Sequence, residues 1–211
     1  MVVHEGHQHI ESEYGSIPNQ DWLDLRHAKI TGTRLGELLG TPAAKKKLIE
    51  EIAWSINRTP PIAEEQRQTA DMKRGNDLEP FCIAAIEDMF PITHKEIMFI
   101  ELTDTAGLSP DFVDIDLTVG FEIKCLQAKA ASEVIYSNEI PKKHLQQVLG
   151  YFQIPTMKSV TYTIFVPAMD MANGEDFLHM ITLYRKDHLE EIANMTMSLL
   201  SADLEIKKLR E

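Results

Sequence analysis

The stretch from Gly107 to Leu126, GLSPDFVDIDLTVGFEIKCL, limits what this chain can fold into more than any other. It reads as two short strands and a reversal. Val113, Ile115 and Leu117 alternate with Asp114 and Asp116, and Thr118-Val119-Gly120 supplies the turn. In the second strand Phe121, Ile123 and Cys125 share one face, while Glu122 and Lys124 share the other. A buried strand carrying a carboxylate and an ammonium on the same face has to satisfy both charges inside the fold. Asp111 follows Ser109-Pro110 near the start of the first strand, so a hairpin brings it beside Glu122. Two carboxylates and a lysine gathered in this way can hold a hard divalent cation and position an attacking water.

Glu-x-Lys by itself says little, because most such pairs are solvated surface charges. The chain has a second copy, Glu205-Ile206-Lys207, in a charged amphipathic segment at its C-terminal end. Only Glu122-Ile123-Lys124 sits in an apolar alternating strand with an Asp on the strand before it.

With 211 residues, 44% of them hydrophobic, the chain can bury a core of its own and suits one domain with appendages. It has no run of eighteen apolar residues to span a membrane, and its first residues, MVVHEGHQHIESEYG, lack the apolar segment of a secretory signal. Cys82 and Cys125 both lie in apolar company and read as reduced core residues of an intracellular protein. The net charge of −12 argues at first sight against nucleic acid. Local clusters such as Lys45-Lys46-Lys47 and Lys142-Lys143-His144 can still make a positive cleft on an acidic protein.

Residues 1–18, with His4, His7 and His9, read as a disordered tail, and a single domain is expected over residues 19–211. Asp21 is a plausible N-cap for a short apolar turn closed by Arg26, and Thr31 or Thr33 for a helix ending at Gly40. Thr41-Pro42 opens another helix with Leu48, Ile49, Ile52 and Ile56 on one face. A polar helix follows from about Ala63. Glu79 aligns with Cys82, Ile83 and Ile86 on a core-facing stripe, where a carboxylate needs a partner. Alternatively, a helix starts at Pro80 and Glu79 lies near its cap. A strand is expected over Ile92–Leu102 and a helix from Pro141 with Leu145, Val148, Leu149 and Phe152 buried, while residues 127–139 show no strong pattern and read as a loop beside the site. Two strands, Val160–Val166 and Phe177–Tyr184, flank a turn at Asn173-Gly174. The last helix, from about Asp187, turns Leu189, Ile192, Leu199, Leu200 and Leu204 inward. This order of elements gives an α/β domain with a central mixed sheet flanked by helices.

Four pieces occur in a telling order: Arg26-His-Ala-Lys-Ile-Thr31-Gly-Thr33, Arg74-Gly-Asn-Asp-Leu-Glu79, Ser109-Pro-Asp111 with Glu122-Ile-Lys124, and Gln146-Gln147-Val148. Together they resemble the PD-(D/E)XK nucleases, and more closely the phage lambda exonuclease and YqaJ-type viral recombinase branch. A second Gln is often found two residues beyond Gln147 in that pattern; here the position is Leu149. The resemblance implies a restriction-endonuclease-like core with catalytic Asp111, Glu122 and Lys124. It assigns Mg²⁺, with Mn²⁺ able to substitute, to Asp111, Glu122, the Ile123 carbonyl and Glu79. Taken alone, Arg26 reads as a surface arginine and Gln147 as an exposed glutamine; the resemblance assigns both, with Thr33 and Ser109, to the phosphate of a DNA 5′ end.

The implied activity is 5′-to-3′ degradation of linear double-stranded DNA, yielding single strands for phage-type recombination in the cytoplasm of a bacterial host. A homotrimeric ring and a single-strand annealing protein as partner come with it. Whether Lys124 acts as a base or as an electrostatic clamp stays open, because a metal lowers its pKa and the carboxylates raise it. The competing readings are a structure- or site-specific endonuclease of the same superfamily and a non-catalytic DNA-binding or assembly module.

Overall fold

The computed structural model describes residues 1–12, 15–63, 66 and 69–211. The segment expected as a disordered tail instead supplies three strands, β1 (Val2–Glu5), β2 (His9–Ser12) and β3 (Gly15–Pro18). Alternating Val3 leaves β1 apolar enough to join a sheet, and β2 and β3 pair as an antiparallel hairpin. Helix α1 (Gln20–Arg26) is capped by Asn19, whose side chain accepts from the Asp21 amide, so Asp21 lies in the first turn and is not the cap itself. A short strand β4 (Ile30–Thr31), a 3-10 turn and α2 (Leu35–Leu38) follow. Helix α3 (Pro42–Ser55) begins as expected, with Thr41 Oγ1 accepting from the Ala44 amide.

The polar helix expected from about Ala63 falls partly outside the described residues. Helix α4 (Ala70–Met89) is capped by Thr69 and runs straight through Pro80, so Glu79 is a mid-helix residue. Pro80 has no amide to give back to the carbonyl one turn earlier. Burial of Cys82 and Ile86 holds the helix together across that gap.

Two four-stranded sheets form the centre. In the first, β1, β5 (Ile97–Thr103), β6 (Ala106–Leu108) and β4 lie in that order, with β4 parallel to β6. Gly107 lets β6 lie directly on the Phe99 ring, since a Cβ there would come within 2.3 Å of it. The second runs β10–β9–β8–β7, with β8 (Val119–Cys125) antiparallel to β7 (Phe112–Val113) and parallel to β9 (Ser159–Val166); β10 (Phe177–Tyr184) is antiparallel to β9. Both sheets are therefore mixed and flanked by helices.

The central hairpin turns earlier than its alternation suggests. Asp114 accepts from the amides of Thr118 and Val119 and from the Thr118 hydroxyl, which folds residues 114–118 into a turn with Leu117 at φ 55°. Ile115 is consequently 64% exposed, and Gly120 pairs with Val113 inside the ladder.

Residues 127–139, which showed no clear pattern, form α5 (Ala128–Ser137), with Ala131 and Val134 buried and Asn138 closing it in the left-handed conformation. Helix α6 (Lys142–Gly150) then packs Val148 and Leu149 inward. Helix α7 (Leu189–Arg210) buries Ile192, Met195, Leu199, Ala202 and Ile206, while Leu189, Leu200 and Leu204 are exposed, so its inner stripe is rotated from the expected one. Among the described residues no helix is long and apolar enough to cross a membrane.

Candidate active site

Strand β8 is covered on both faces, and this fixes what its alternation does. Phe121 and Ile123 pack with Phe112, Phe165 and the Cys82–Ile86 side of α4. Glu122 faces the other way, toward α6, and is 0% exposed. One of its oxygens accepts from Lys124 Nζ; the other accepts from Gln147 Nε2 at 2.9 Å and from the Tyr151 hydroxyl at 2.5 Å. Lys124 Nζ also donates to the Ile123 carbonyl at 2.9 Å and lies 3.7 Å from Asp111 Oδ2. Asp111 is itself fixed by the Ile123 amide, which donates to Oδ2 at 2.8 Å. The hairpin thus brings Asp111, Glu122 and Lys124 together, as the sequence suggested.

The electrostatics of this cluster are unbalanced. Burial, then the negative charge of Glu122, pushes Asp111 up to about 7. Burial, then Asp111, pushes Glu79 up to about 8. Burial works against the Lys124 ammonium, but Glu122 and Asp111 outweigh it and raise the group above the ordinary lysine range. Lys124 is therefore held as an ammonium beside the two carboxylates. Tyr151 is also raised, first by burial, so its hydroxyl stays protonated and donates to Glu122.

Among the described residues no three His, Cys, Asp or Glu side chains form a ready-made metal cage. The oxygen donors nevertheless suit a hard cation. Asp111 and Glu122 supply charged oxygens, Ile123 a carbonyl between them, and Glu79 a further carboxylate whose charge their field disfavours. A divalent ion relieves that repulsion and favours the ionised forms.

Beside the carboxylates is a second group. Ser109 Oγ accepts from Trp22 Nε1 at 2.9 Å and from Arg26 Nη1 at 3.0 Å, and the Arg26 guanidinium lies 4.2 Å over the Trp22 ring. With two donors on its oxygen, the Ser109 hydroxyl has its own proton free to give to a ligand. Burial lowers Arg26 to about 10, which leaves it cationic at neutral pH. Thr33 is exposed, with its hydroxyl 3.2 Å from that of Thr31. Gln147 does not face solvent away from the buried stripe. The polar side of α6 is the side that covers Glu122, and Gln147 donates to that carboxylate from there.

All nine residues selected from the sequence, Arg26, Thr33, Glu79, Ser109, Asp111, Glu122, Ile123, Lys124 and Gln147, line one cleft of about 1020 Å³. Sequence reading missed three contributors. Tyr151 follows Gln147 by four residues, and Trp22 precedes Arg26 by four, a spacing that puts each pair on one helical face. His144 lines the cleft with its Nδ1 2.6 Å from the Tyr162 hydroxyl, and burial, then Lys124, holds it down at about 4.

A mixed sheet with an Asp, a Glu and a Lys converging at a hairpin, and helices on its faces, defines the restriction-endonuclease-like fold. The YqaJ-like viral recombinase domain matches residues 21–158, and the chain belongs to that family. Its structure is similar to the alkaline exonuclease LHK-Exo from Laribacter hongkongensis, at 20% identity and a TM-score of 0.71 over 91% of this chain and 96% of that one. The same values hold for LHK-Exo in complex with dAMP. A phage-related exonuclease from Haemophilus somnus 129PT is similar at 13% identity and a TM-score of 0.57, over 88% of this chain and 96% of the other. No curated protein sequence matches the chain.

Proposed function

We propose that the chain is a metal-dependent 5′-to-3′ exonuclease of linear double-stranded DNA. The observation that carries this reading is that one cleft is lined by residues of all four motifs, the carboxylates together with the Arg26–Ser109 group. Asp111, Glu122, the Ile123 carbonyl and, more distantly, Glu79 would hold Mg²⁺ or Mn²⁺, which stabilises charge developing on the phosphate and the departing oxygen. Lys124, as an ammonium between both carboxylates, orients the nucleophilic water or a phosphate oxygen. Arg26, the Ser109 proton and the Thr33 hydroxyl together offer a cation and two neutral donors, with the Gln147 amide lining the same cleft. That set suits a terminal phosphate dianion better than an internal phosphodiester with one charge. The relative solved with dAMP, a nucleoside 5′-monophosphate, supports the same class of product.

A homotrimeric ring and a single-strand annealing partner extend the proposal on family membership. A ring also accommodates a subunit of net charge −12, since only a channel lining needs to be basic. The test is digestion of matched linear and covalently closed circular duplex with Mg²⁺ and with chelator. Loss of the linear form alone, only with Mg²⁺, is expected. Rapid opening of closed circles would move the protein to the endonucleases.

A further inference from the structure

The N-terminal arm lies outside the matched family region, 21–158, yet it forms a wall of the cleft. After β1 pairs with β5 the chain swings away at Gly6, φ 127°, whose amide donates to the Glu96 carbonyl at 3.1 Å. Gln8 then enters the fold. Its Nε2 donates to the Ile97 carbonyl at 3.0 Å and to the Pro110 carbonyl at 2.8 Å. Its own carbonyl accepts from the Asn19 amide at 2.8 Å, and the Asn19 side chain donates to the His7 carbonyl at 3.0 Å. One side chain therefore ties β5 to the peptide immediately before Asp111, and its backbone is tied to the cap of α1.

A second cavity, of about 580 Å³, lies on the arm's side and shares Gln8, His9, Asn76, Glu79 and Asp111 with the main cleft. Asp111 lines both. Its carboxylate is fixed by the Ile123 amide, but its backbone follows a proline that has no N–H to anchor the corner. The Pro110 carbonyl is the handle by which that corner can be fixed, and Gln8 takes it.

We infer that Gln8 is a positioning residue that sets Asp111 for metal binding, an inference that rests on the nuclease reading above. Both of its N–H donors are engaged by carbonyls, so it offers no donor to substrate and acts only through Asp111. Outer contacts that orient a metal ligand typically change metal affinity 10- to 100-fold.

Gln8→Met keeps length and volume and removes both donors. Its Mn²⁺ affinity, read by electron paramagnetic resonance without DNA, is expected to fall about tenfold. Its kcat should fall with it, while KM for duplex DNA stays within about twofold. Gln8→Asn, one methylene short, should fall between Gln8→Met and wild type, and it provides the comparison if Gln8→Met does not fold. Asn19→Ala loosens the same arm without touching Pro110 and should leave Mn²⁺ affinity unchanged. Unchanged Mn²⁺ affinity in Gln8→Met and Gln8→Asn, or equal losses in Asn19→Ala, overturns the inference. Wild-type protein that binds no Mn²⁺ brings down the nuclease reading itself, and this inference with it.

Discussion

The chain contains Glu-Ile-Lys twice, once in strand β8 and once in helix α7, and the two copies do opposite things. In β8 the period of two sends Glu122 and Lys124 to one face, so the ammonium meets its own tripeptide's carboxylate, and Ile123 goes to the core at 4% exposed. In α7 two residues correspond to about 200° of rotation, so the charges part. Glu205 there accepts from the Ser201 hydroxyl at 3.0 Å and lies 3.9 Å from Lys45. Lys207 instead meets Asp104 at 2.6 Å and Asp203 at 2.8 Å, with the Ile206 side chain fully buried between them. Identical residues thus make a buried charge cluster in one secondary structure and a surface tether in the other. The lesson is that the backbone period decides whether this tripeptide brings its own charges together.

The largest effect that would break the comparison belongs to the carboxylate supplied by the neighbouring strand. Asp111→Asn keeps the shape and an acceptor for the Ile123 amide but removes the charge, and turnover is expected to fall on the order of 10³-fold. Measured exonuclease rates near wild type would show that β8 needs no partner carboxylate, and the contrast with α7 would lose its basis.

A smaller loss is expected at the Arg26–Ser109 group. Arg26→Ala should slow digestion of 5′-phosphorylated duplex about ten- to a hundredfold, since a charge-assisted hydrogen bond contributes roughly 1.5–3 kcal/mol. It should hardly change digestion of 5′-hydroxyl duplex, because the two losses remove one interaction. Initial rates of wild type and Arg26→Ala on both ends measure this, and losses that simply multiply would mean that Arg26 does not read the terminal phosphate.

The smallest effect is on stability. Asp111 at about 7 and Glu79 at about 8 hold protons in the folded protein that ordinary carboxyls near 4 release when unfolded. Folding therefore takes up protons between those values, and these groups make the metal-free protein less stable as pH rises from about 4 toward 8. Melting temperatures in chelator across pH 5 to 8 should show Asp111→Asn gaining on wild type as pH rises. Parallel curves would contradict the raised value. In α7 the sign is opposite: burial works to raise Asp203, but hydrogen bonds from Lys207 and Thr105 outweigh it and hold the carboxyl below its ordinary range.

How much of this was legible depended on whether the signal was periodic or local. The two faces of β8 were readable because strict alternation leaves no other arrangement, and the cleft followed from four motifs in order. The hairpin's real turn was not, because the Asp114 side chain bonds to Thr118 and Val119 and overrides the alternation of Ile115 and Leu117. The arm was misread as disordered because its polarity hides that β1 needs only one ladder, with β5, to be ordered. In α7 the leucines suggested one face, but Met195 and Ala202 share the buried stripe and rotate it away from Leu200 and Leu204. Gln147 looked exposed because its helix was judged against a hydrophobic core alone, whereas its polar side covers a buried carboxylate.

The most direct measurement places the two lysines of the repeated tripeptide side by side: Lys124→Ala and Lys207→Ala against wild type, on 5′-phosphorylated linear duplex with Mg²⁺, reading release of mononucleotides. Wild type and Lys207→Ala are expected to agree within about twofold, as for a surface change remote from the cleft. Lys124→Ala should lose about 10²- to 10⁴-fold. A Lys124→Ala protein as active as Lys207→Ala would contradict the assignment of the chemistry to β8.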